Sequence, residues 1–272
     1  MSDSDTPINT GNFAKGFIAD PEQHMVSSAR RLIGLAPPPA NGSVNQFAPP
    51  IRDQGQKSQC TGEGSMGAFV TSCNAHSVKL PFPIACPSWA YKIARAVDRD
   101  DPNIPLTDDG AMPNQVVRGI QEFGILGLGE CSDADADANE EPTIIQLEKA
   151  SRVHALGWHI ITSSGKNLVL DMMRAIAVAR VAVPASSDVD QAFEDYNGKG
   201  VIPSVLQGEN FGGHFYYFTE FKTTSSGIIL FRFRNSWTPG WGDQGTGWVD
   251  DQFIMKRLTS KFTASAIIRG AA

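Results

Sequence analysis

Two regimes of hydrophobic patterning divide the chain near residue 150. Before that point apolar side chains recur at the three- and four-residue spacing of helices, and after it they gather in the short runs typical of strands. Met66, Phe69 and Val70 mark one face of a helix running on from Thr61. Cys86-Pro87-Ser88-Trp89-Ala90-Tyr91 begins a second helix that continues to about Val97. A third is predicted over Asn114 to Phe123, stopped by Gly124. Strands are predicted over Val153 to Thr162, Arg180 to Ala185, the aromatic run around His214, Ile228 to Arg234 and Trp248 to Phe253. A helix capped near Ser164 interrupts them over Lys166 to Val178.

The first 42 residues follow neither pattern. Residues 1 to about 15 are rich in Ser, Asp, Thr and Asn with few large apolar side chains, the composition of a disordered segment. Asp20-Pro21-Glu22 then supplies an N-cap, a proline at the first helical position and an acidic first turn, so a short helix is expected to about Leu35, with Val26, Ala29 and Ile33 in one stripe. Ala36 to Gly42, with three consecutive prolines, reads as a stiff linker.

At 272 residues and 29.3 kDa, with 41% apolar and 19% charged residues, the chain has ample material for a globular core. Its net charge of −6 and the lack of a basic stripe argue against a nucleic-acid partner. No apolar run approaches the roughly 20 residues of a membrane span, and the polar N-terminus has no signal-peptide core, so no membrane partner and a reducing cytoplasmic setting are expected.

The four cysteines are Cys60, Cys73, Cys86 and Cys131. If Cys60 must stay free, the odd remainder is poor material for a disulfide framework, and the other three are expected as small core residues. No spacing suggests zinc. The acidic run from Cys131 to Glu141 resembles a calcium loop only superficially: Ala138 stands where glycine is required and Ile144 where glutamate is required. A solvated loop is expected there, and no metal or cofactor.

Candidate chemistry begins at Ile51 to Phe69, where Asp53-Gln54-Gly55 forms a turn and Cys60 opens the run of small residues that becomes a helix. At a helix N-terminus the unpaired N–H groups and the dipole favour a thiolate. Taken alone, the stretch is equally compatible with a buried structural cysteine. His214 entering the aromatic run His214 to Phe218, and Asn235 ending the strand before Trp237, supply an imidazole and a group to orient it, the partners a nucleophilic cysteine requires.

These separated motifs resemble the papain-like cysteine peptidases, in particular bacterial or phage members whose nucleophile motif has the form Asp53-Gln54-Gly55-Gln56 followed by Cys60-Thr61. The similarity runs from about Ser43 to the C-terminus. It implies an α+β, two-subdomain fold with a mainly helical half, about 54–150, packed on a strand-rich, barrel-like half, about 151–265, and the active-site cleft between them. Residues 1–42 would form an extension, 43–272 the peptidase domain. The resemblance makes Cys60 the nucleophile, His214 the acid/base, Asn235 its orienter, Gln54 an oxyanion donor and Trp237 the shield over the Asn–His contact. It also places Gly110 where backbone groups bind substrate, and Met112 and Phe215 near the pocket for an apolar P2 side chain, which Phe215 would narrow.

This chain lacks the Cys-Gly-Ser/Ala-Cys-Trp/Tyr signature, and His214 and Asn235 lie further downstream than the roughly 130–150 residues that accompany it. Lys57 stands where secreted members carry a disulfide cysteine. The implied function is hydrolysis of peptides or proteins by a thiol endopeptidase. Two alternatives remain: a catalytically latent papain-fold binding module, and a thiol acyltransferase or deamidase. The leader, shorter than the helical prosegments common in the family, is compatible with a cleft plug, with docking elsewhere on the body, or with a tag for non-classical delivery.

Overall fold

The computed structural model describes residues 27–28, 37–97, 99, 103–131, 140–155, 158–264 and 268–270. Seven α-helices, a short 3-10 helix (Asn45–Phe47) and ten strands lie within them, and the predicted change of regime is visible in their order. Helices α1 (Cys60–Ala75), α2 (Pro87–Val97), α3 (Pro113–Glu122) and α4 (Ile144–Ala150) precede most of the sheet. Strands β3 (Val153–Ala155) and β4 (Trp158–Ile160), helix α5 (Gly165–Ala177), strand β5 (Val183–Asp188) and the short α6 (Gln191–Glu194) follow. The chain continues through β6 (Gly213–Thr223), β7 (Ile229–Arg234), β8 (Thr246–Asp250), α7 (Asp251–Arg257), β9 (Leu258–Ala264) and β10 (Ile268–Gly270). Two short N-terminal strands, β1 (Ser27–Ser28) and β2 (Asn41–Ser43), join the sheet from outside.

Helix α1 runs through the interior, with every residue but Asn74 buried. A helix enclosed on all sides must be apolar or small all round, and its glycines show where neighbours come close. A Cβ at Gly62 would lie 2.3 Å from the Pro87 carbonyl oxygen of α2; one at Gly64 would lie 2.6 Å from Cδ1 of Phe215 on β6; one at Gly67 would meet the Tyr217 ring at 2.4 Å. Two of its interior hydroxyls bond within the core: Thr71 and Ser72 donate to the carbonyls of Gly67 and Ala68, and Ser72 accepts the N–H of Ala182. Helices α2 and α3 complete this half through Trp89, Ile93, Val116 and Ile120, all buried.

The main sheet has the order β1-β4-β9-β5-β6-β7-β8, and β2 pairs with β6. Its pairings are antiparallel except β1 with β4. Among the described residues the end strands do not pair with each other, so the strand-rich half is an open antiparallel sheet and not a closed barrel, in keeping with the expected α+β, two-subdomain layout. A separate antiparallel ribbon joins β3 and β10.

Four further expectations change. The predicted strand Trp248 to Phe253 stops at Asp250, whose carboxylate accepts the Phe253 N–H at 2.8 Å and caps α7. Val153 to Thr162 holds two short strands with different partners. Ser27–Ser28, inside the helix expected to end near Leu35, pair instead as a strand with His159 and Ile160; the remainder of that helix, the segment 1–15 and the acidic run at 132–139 lie outside the described residues. Cys86 and Cys131, expected as separate core thiols, form a disulfide, while Cys60 and Cys73 are not disulfide-bonded. Bond formation follows from the fold: Cys86 donates its N–H to Leu126, and the Ala85–Gly127 bridge brings the start of α2 against the turn that leads to Cys131.

Candidate active site

Cys60 is the first residue of α1 and is fully buried. The residue before it, Gln59, is fixed on both sides: its amide nitrogen donates to Glu63 at 2.9 Å and its oxygen accepts from Ser88 of α2 at 2.8 Å. Arg52 completes this cluster with an ion pair to Glu63 at 3.2 Å. The sulfur's position is therefore set by polar contacts to two neighbouring elements as well as by its helix. The other cysteine outside the disulfide, Cys73, lies on the same helix, and burial pushes its thiol up to about 12, which makes it a poor nucleophile near neutral pH.

His214 and Asn235 come together across the sheet. His214 is the second residue of β6, and Asn235 directly follows β7, held by its N–H bond to the Gly245 carbonyl. His214 Nε2 donates to Asn235 Oδ1 at 2.7 Å, and the same oxygen accepts the Ser236 N–H at 2.8 Å. Two donors on one oxygen fix the amide's orientation and place a proton on Nε2. Trp237 covers the pair, its ring stacked on His214 with centroids 4.3 Å apart. Phe193 of α6 packs at 5.6 Å on Trp237 and edge-on to His214, which makes it part of the support that sequence reading missed.

Helix α1 meets this assembly directly. Glu63 and Gly64, one turn after Cys60, share the walls of a small cavity of about 20 Å³ with Phe215, Asn235 and Ser236. Gln54 is held against the same wall: its N–H donates to the Ser236 carbonyl at 2.9 Å, its side-chain oxygen accepts from Ser236 Oγ at 2.6 Å, and its Nε2 donates to the Lys57 carbonyl at 2.9 Å. Ser236 carried no sequence signal beyond its position beside Asn235.

The remaining predicted residues are placed less uniformly. Gly110 is buried with φ +95°, a value suited to glycine, and its N–H donates to Tyr91 Oη at 3.0 Å. Met112 is half-buried and stands at the N-cap before α3, its N–H donating to Gln115 Oε1 at 2.7 Å. Phe215 points opposite to His214, as strand alternation requires, and is buried against Gly64 in the seam between α1 and β6. Its ring therefore belongs to the helix–sheet seam. Trp237 also walls an open depression of about 440 Å³, together with Asp195, Thr238 and Trp241. Among the described residues no group of three or more His, Cys, Asp or Glu side chains could hold a metal ion, and no helix is long and apolar enough to cross a membrane.

The fold is papain-like. Solved structures that share it include xylellain, a cysteine protease from Xylella fastidiosa, which is 17% identical over 93% of this chain and 96% of that one, with a TM-score of 0.74. A digestive procathepsin L 3 from Tenebrio molitor larval midgut is 14% identical, covering 95% of this chain and 78% of its own, at 0.71. Procathepsin B from Trypanosoma congolense is 12% identical over 93% and 87%, at 0.70. No protein-family model and no curated protein matches the sequence. At these identities the likeness extends to the fold, and the chemistry rests on the residues of this chain.

Proposed function

We propose that the chain is a cysteine peptidase that hydrolyses peptide bonds through a Cys60 acyl-enzyme. The observation that carries this reading is the buried 2.7 Å bond from His214 Nε2 to Asn235 Oδ1 beneath the Trp237 ring. With Nε2 committed to Asn235, Nδ1 is the nitrogen that exchanges a proton with the thiol.

In the first half-reaction the Cys60 proton passes to His214 Nδ1 and the sulfur attacks the scissile carbonyl carbon. The carbonyl oxygen takes up the negative charge, stabilised by the Cys60 N–H and by a Gln54 Nε2 hydrogen. Collapse breaks the C–N bond as the imidazolium protonates the leaving amine, leaving a thioester. Water then attacks the thioester, its proton goes to His214, and the released sulfur regains it. Asn235 orients the ring without a charge of its own, which leaves the imidazolium's charge to stabilise the thiolate. Substrate binding falls to the Gly110 carbonyl and the Met112 region on one side of the nucleophile, and to the depression beyond Trp237 for residues after the scissile bond.

The full burial of Cys60 favours a second reading, in which the cleft is closed and the chain is latent. Full-length protein and Cys60→Ala, treated with an epoxysuccinyl peptide and mapped by intact and peptide mass, separate the two. Rapid single alkylation at Cys60 together with cleavage of a quenched-peptide library supports the peptidase. Labelling that leaves Cys60 untouched, with no peptide cleaved, supports the latent module. Gln54→Ala lowers kcat at least about tenfold in a folded enzyme; an unchanged kcat removes Gln54 from the reaction.

A further inference from the structure

The Lys57–Ser58 peptide unit lies between the candidate oxyanion donor and the nucleophile, and it is gripped at both ends. Its carbonyl accepts from Gln54 Nε2 at 2.9 Å. Its N–H donates to the Asp108 carboxylate, at 3.0 Å to Oδ1 and 3.3 Å to Oδ2. Asp108 is fifty residues away in sequence, in the loop that leads to Gly110.

The same carboxylate is held from the other side. Tyr91, buried on α2, donates its hydroxyl to Asp108 Oδ1 at 2.7 Å and accepts the Gly110 N–H at 3.0 Å. Burial pushes the phenol's pKa up, so the hydroxyl is a donor throughout the working range. Arg95, one turn further along α2, stacks its guanidinium over the Tyr91 ring at 3.9 Å and donates to the Thr107 carbonyl, fixing the loop on the other side of Asp108. A continuous path of hydrogen bonds thus runs from Gly110 through Tyr91 and Asp108 to the Lys57–Ser58 peptide and on to Gln54, whose far end is anchored by Ser236.

The path has a direction. A carboxylate on the Ser58 N–H draws that peptide's charge so that the Lys57 oxygen becomes a stronger acceptor, which tightens its bond to Gln54. One Nε2 hydrogen of Gln54 is committed to Lys57, so the amide plane is fixed and the second hydrogen's direction with it. An oxyanion donor is effective only when it is in place before charge develops.

We propose that Asp108 is a positioning residue for oxyanion stabilisation, acting through the Lys57–Ser58 peptide on the Gln54 amide and coupling that amide to the Gly110 loop. The proposal rests on the peptidase reading and deepens it. Asp108 touches neither substrate nor sulfur, so its removal impairs the step that develops an oxyanion and spares thiol chemistry that develops none.

The test is a double-mutant cycle on the full chain with Asp108→Ala, Gln54→Ala and the double variant. It measures kcat and KM on a quenched peptide taken from the library, and the rate at which iodoacetamide alkylates Cys60. Alone, Asp108→Ala is expected to lower kcat about tenfold, leaving alkylation within twofold of wild type. In the Gln54→Ala background the same change costs less than twofold, because the group it positions is already gone. Asp108→Asn, which keeps an acceptor for Ser58, recovers part of the loss. Losses that multiply across the cycle, an unchanged kcat, or alkylation that falls in step with kcat would overturn the proposal.

Should Asp108→Ala fail to fold, Tyr91→Phe takes its place in the cycle. It keeps the buried ring and removes only the hydroxyl that holds Asp108. A kcat loss that disappears in the Gln54→Ala background supports the path, and a loss independent of Gln54 refutes it. Wild-type protein that cleaves no peptide sinks the peptidase reading itself, and the positioning role with it, a result distinct from active enzyme that is indifferent to Asp108.

Discussion

Gly64→Ala is the most direct test of whether the spacing between α1 and β6 governs the chemistry. The added methyl would lie 2.6 Å from Phe215 Cδ1, 3.1 Å from Cε1 and 3.3 Å from the Tyr216 Cα. Ordinary van der Waals contact begins near 3.4 Å, so helix and strand must part by several tenths of an ångström. Phe215 is 1% exposed, and the cavity that it and Gly64 share, about 20 Å³, is too small to take the whole ring if it swings aside. Overpacking of this kind costs about 1–3 kcal/mol, and replacing a helical glycine with alanine returns about 1 kcal/mol. The net stability change is therefore small, about 0–2 kcal/mol of loss.

The effect on rate should be larger. Gly64 is one turn from Cys60, and Phe215 adjoins His214 in the chain, so the displacement falls between nucleophile and base. A misplacement approaching 1 Å is worth on the order of 10²-fold in rate. The expected outcome is a folded variant whose kcat/KM is reduced between tenfold and about a hundredfold, measured on a quenched peptide well below the melting temperature. A variant destabilised as expected but within threefold of wild type in kcat/KM would show that the seam governs stability alone.

Two further predictions concern the cysteines. Replacing Cys86 and Cys131 together with alanine opens a loop closed across 45 residues and should lower unfolding free energy by about 2–4 kcal/mol, read as a lower urea midpoint under non-reducing conditions; an unchanged midpoint would show that the bridge contributes nothing to stability. Cys73 supplies an alkaline dependence of known sign: its folded pKa, about 12, lies above the ordinary value near 9, so its share of stability is complete below pH 9 and is lost as pH rises toward 12. Moving from pH 8 to about pH 10.5 should cost wild type about 2 kcal/mol more than Cys73→Ala. Equal losses in the two proteins would assign the alkaline transition to other groups, the buried phenols of Tyr91, Tyr216 and Tyr217 among them.

Much of the architecture was legible where local signals agreed. Helices α2, α3 and α5 announced themselves by an apolar stripe bounded by proline, serine or glycine, and β6 and β7 by dense aromatic and β-branched runs. Helix α4 carried a readable signal that went unused: Thr143 and Gln146 form a reciprocal capping box, but Ile144 and Ile145 are exposed, so no buried stripe drew attention to it. The end of β8 was misjudged because Phe253 and Ile254 are buried as a strand's residues would be, and only the Asp250 cap shows that a helix has begun.

At the site, chain motifs pointed to His214, Asn235 and Trp237, which the structure brings into one buried stack, and to Gln54, which it sets on Ser236. Ser236, Phe193 and Asp108 could not be read in the same way, because each acts on a residue far off in the sequence and has no pattern of its own. Lys57 shows the same limit. The sequence registers a missing cysteine there, while the hydrogen bonds that hold the adjoining peptide come from Gln54 and from a carboxylate fifty positions later.

The pairing of β2 with β6 bears on how such a chain can be trimmed. Asn41, Gly42 and Ser43 lie against Lys222, Phe221 and Glu220, and Gly42 is so close to Phe221 and Ala177 that a Cβ would stand 2.6 and 2.7 Å from them. The C-terminal end of the linker is thus woven into the strand that carries His214. Cleavage ahead of Ala40 leaves that weave whole. Cleavage after Gly42 strips two of its three rungs and bares a stretch of backbone donors and acceptors on β6, an invitation to pair with another molecule's strand. A cut that keeps this part of β6 covered falls before Ala40, whose carbonyl accepts the Thr223 N–H.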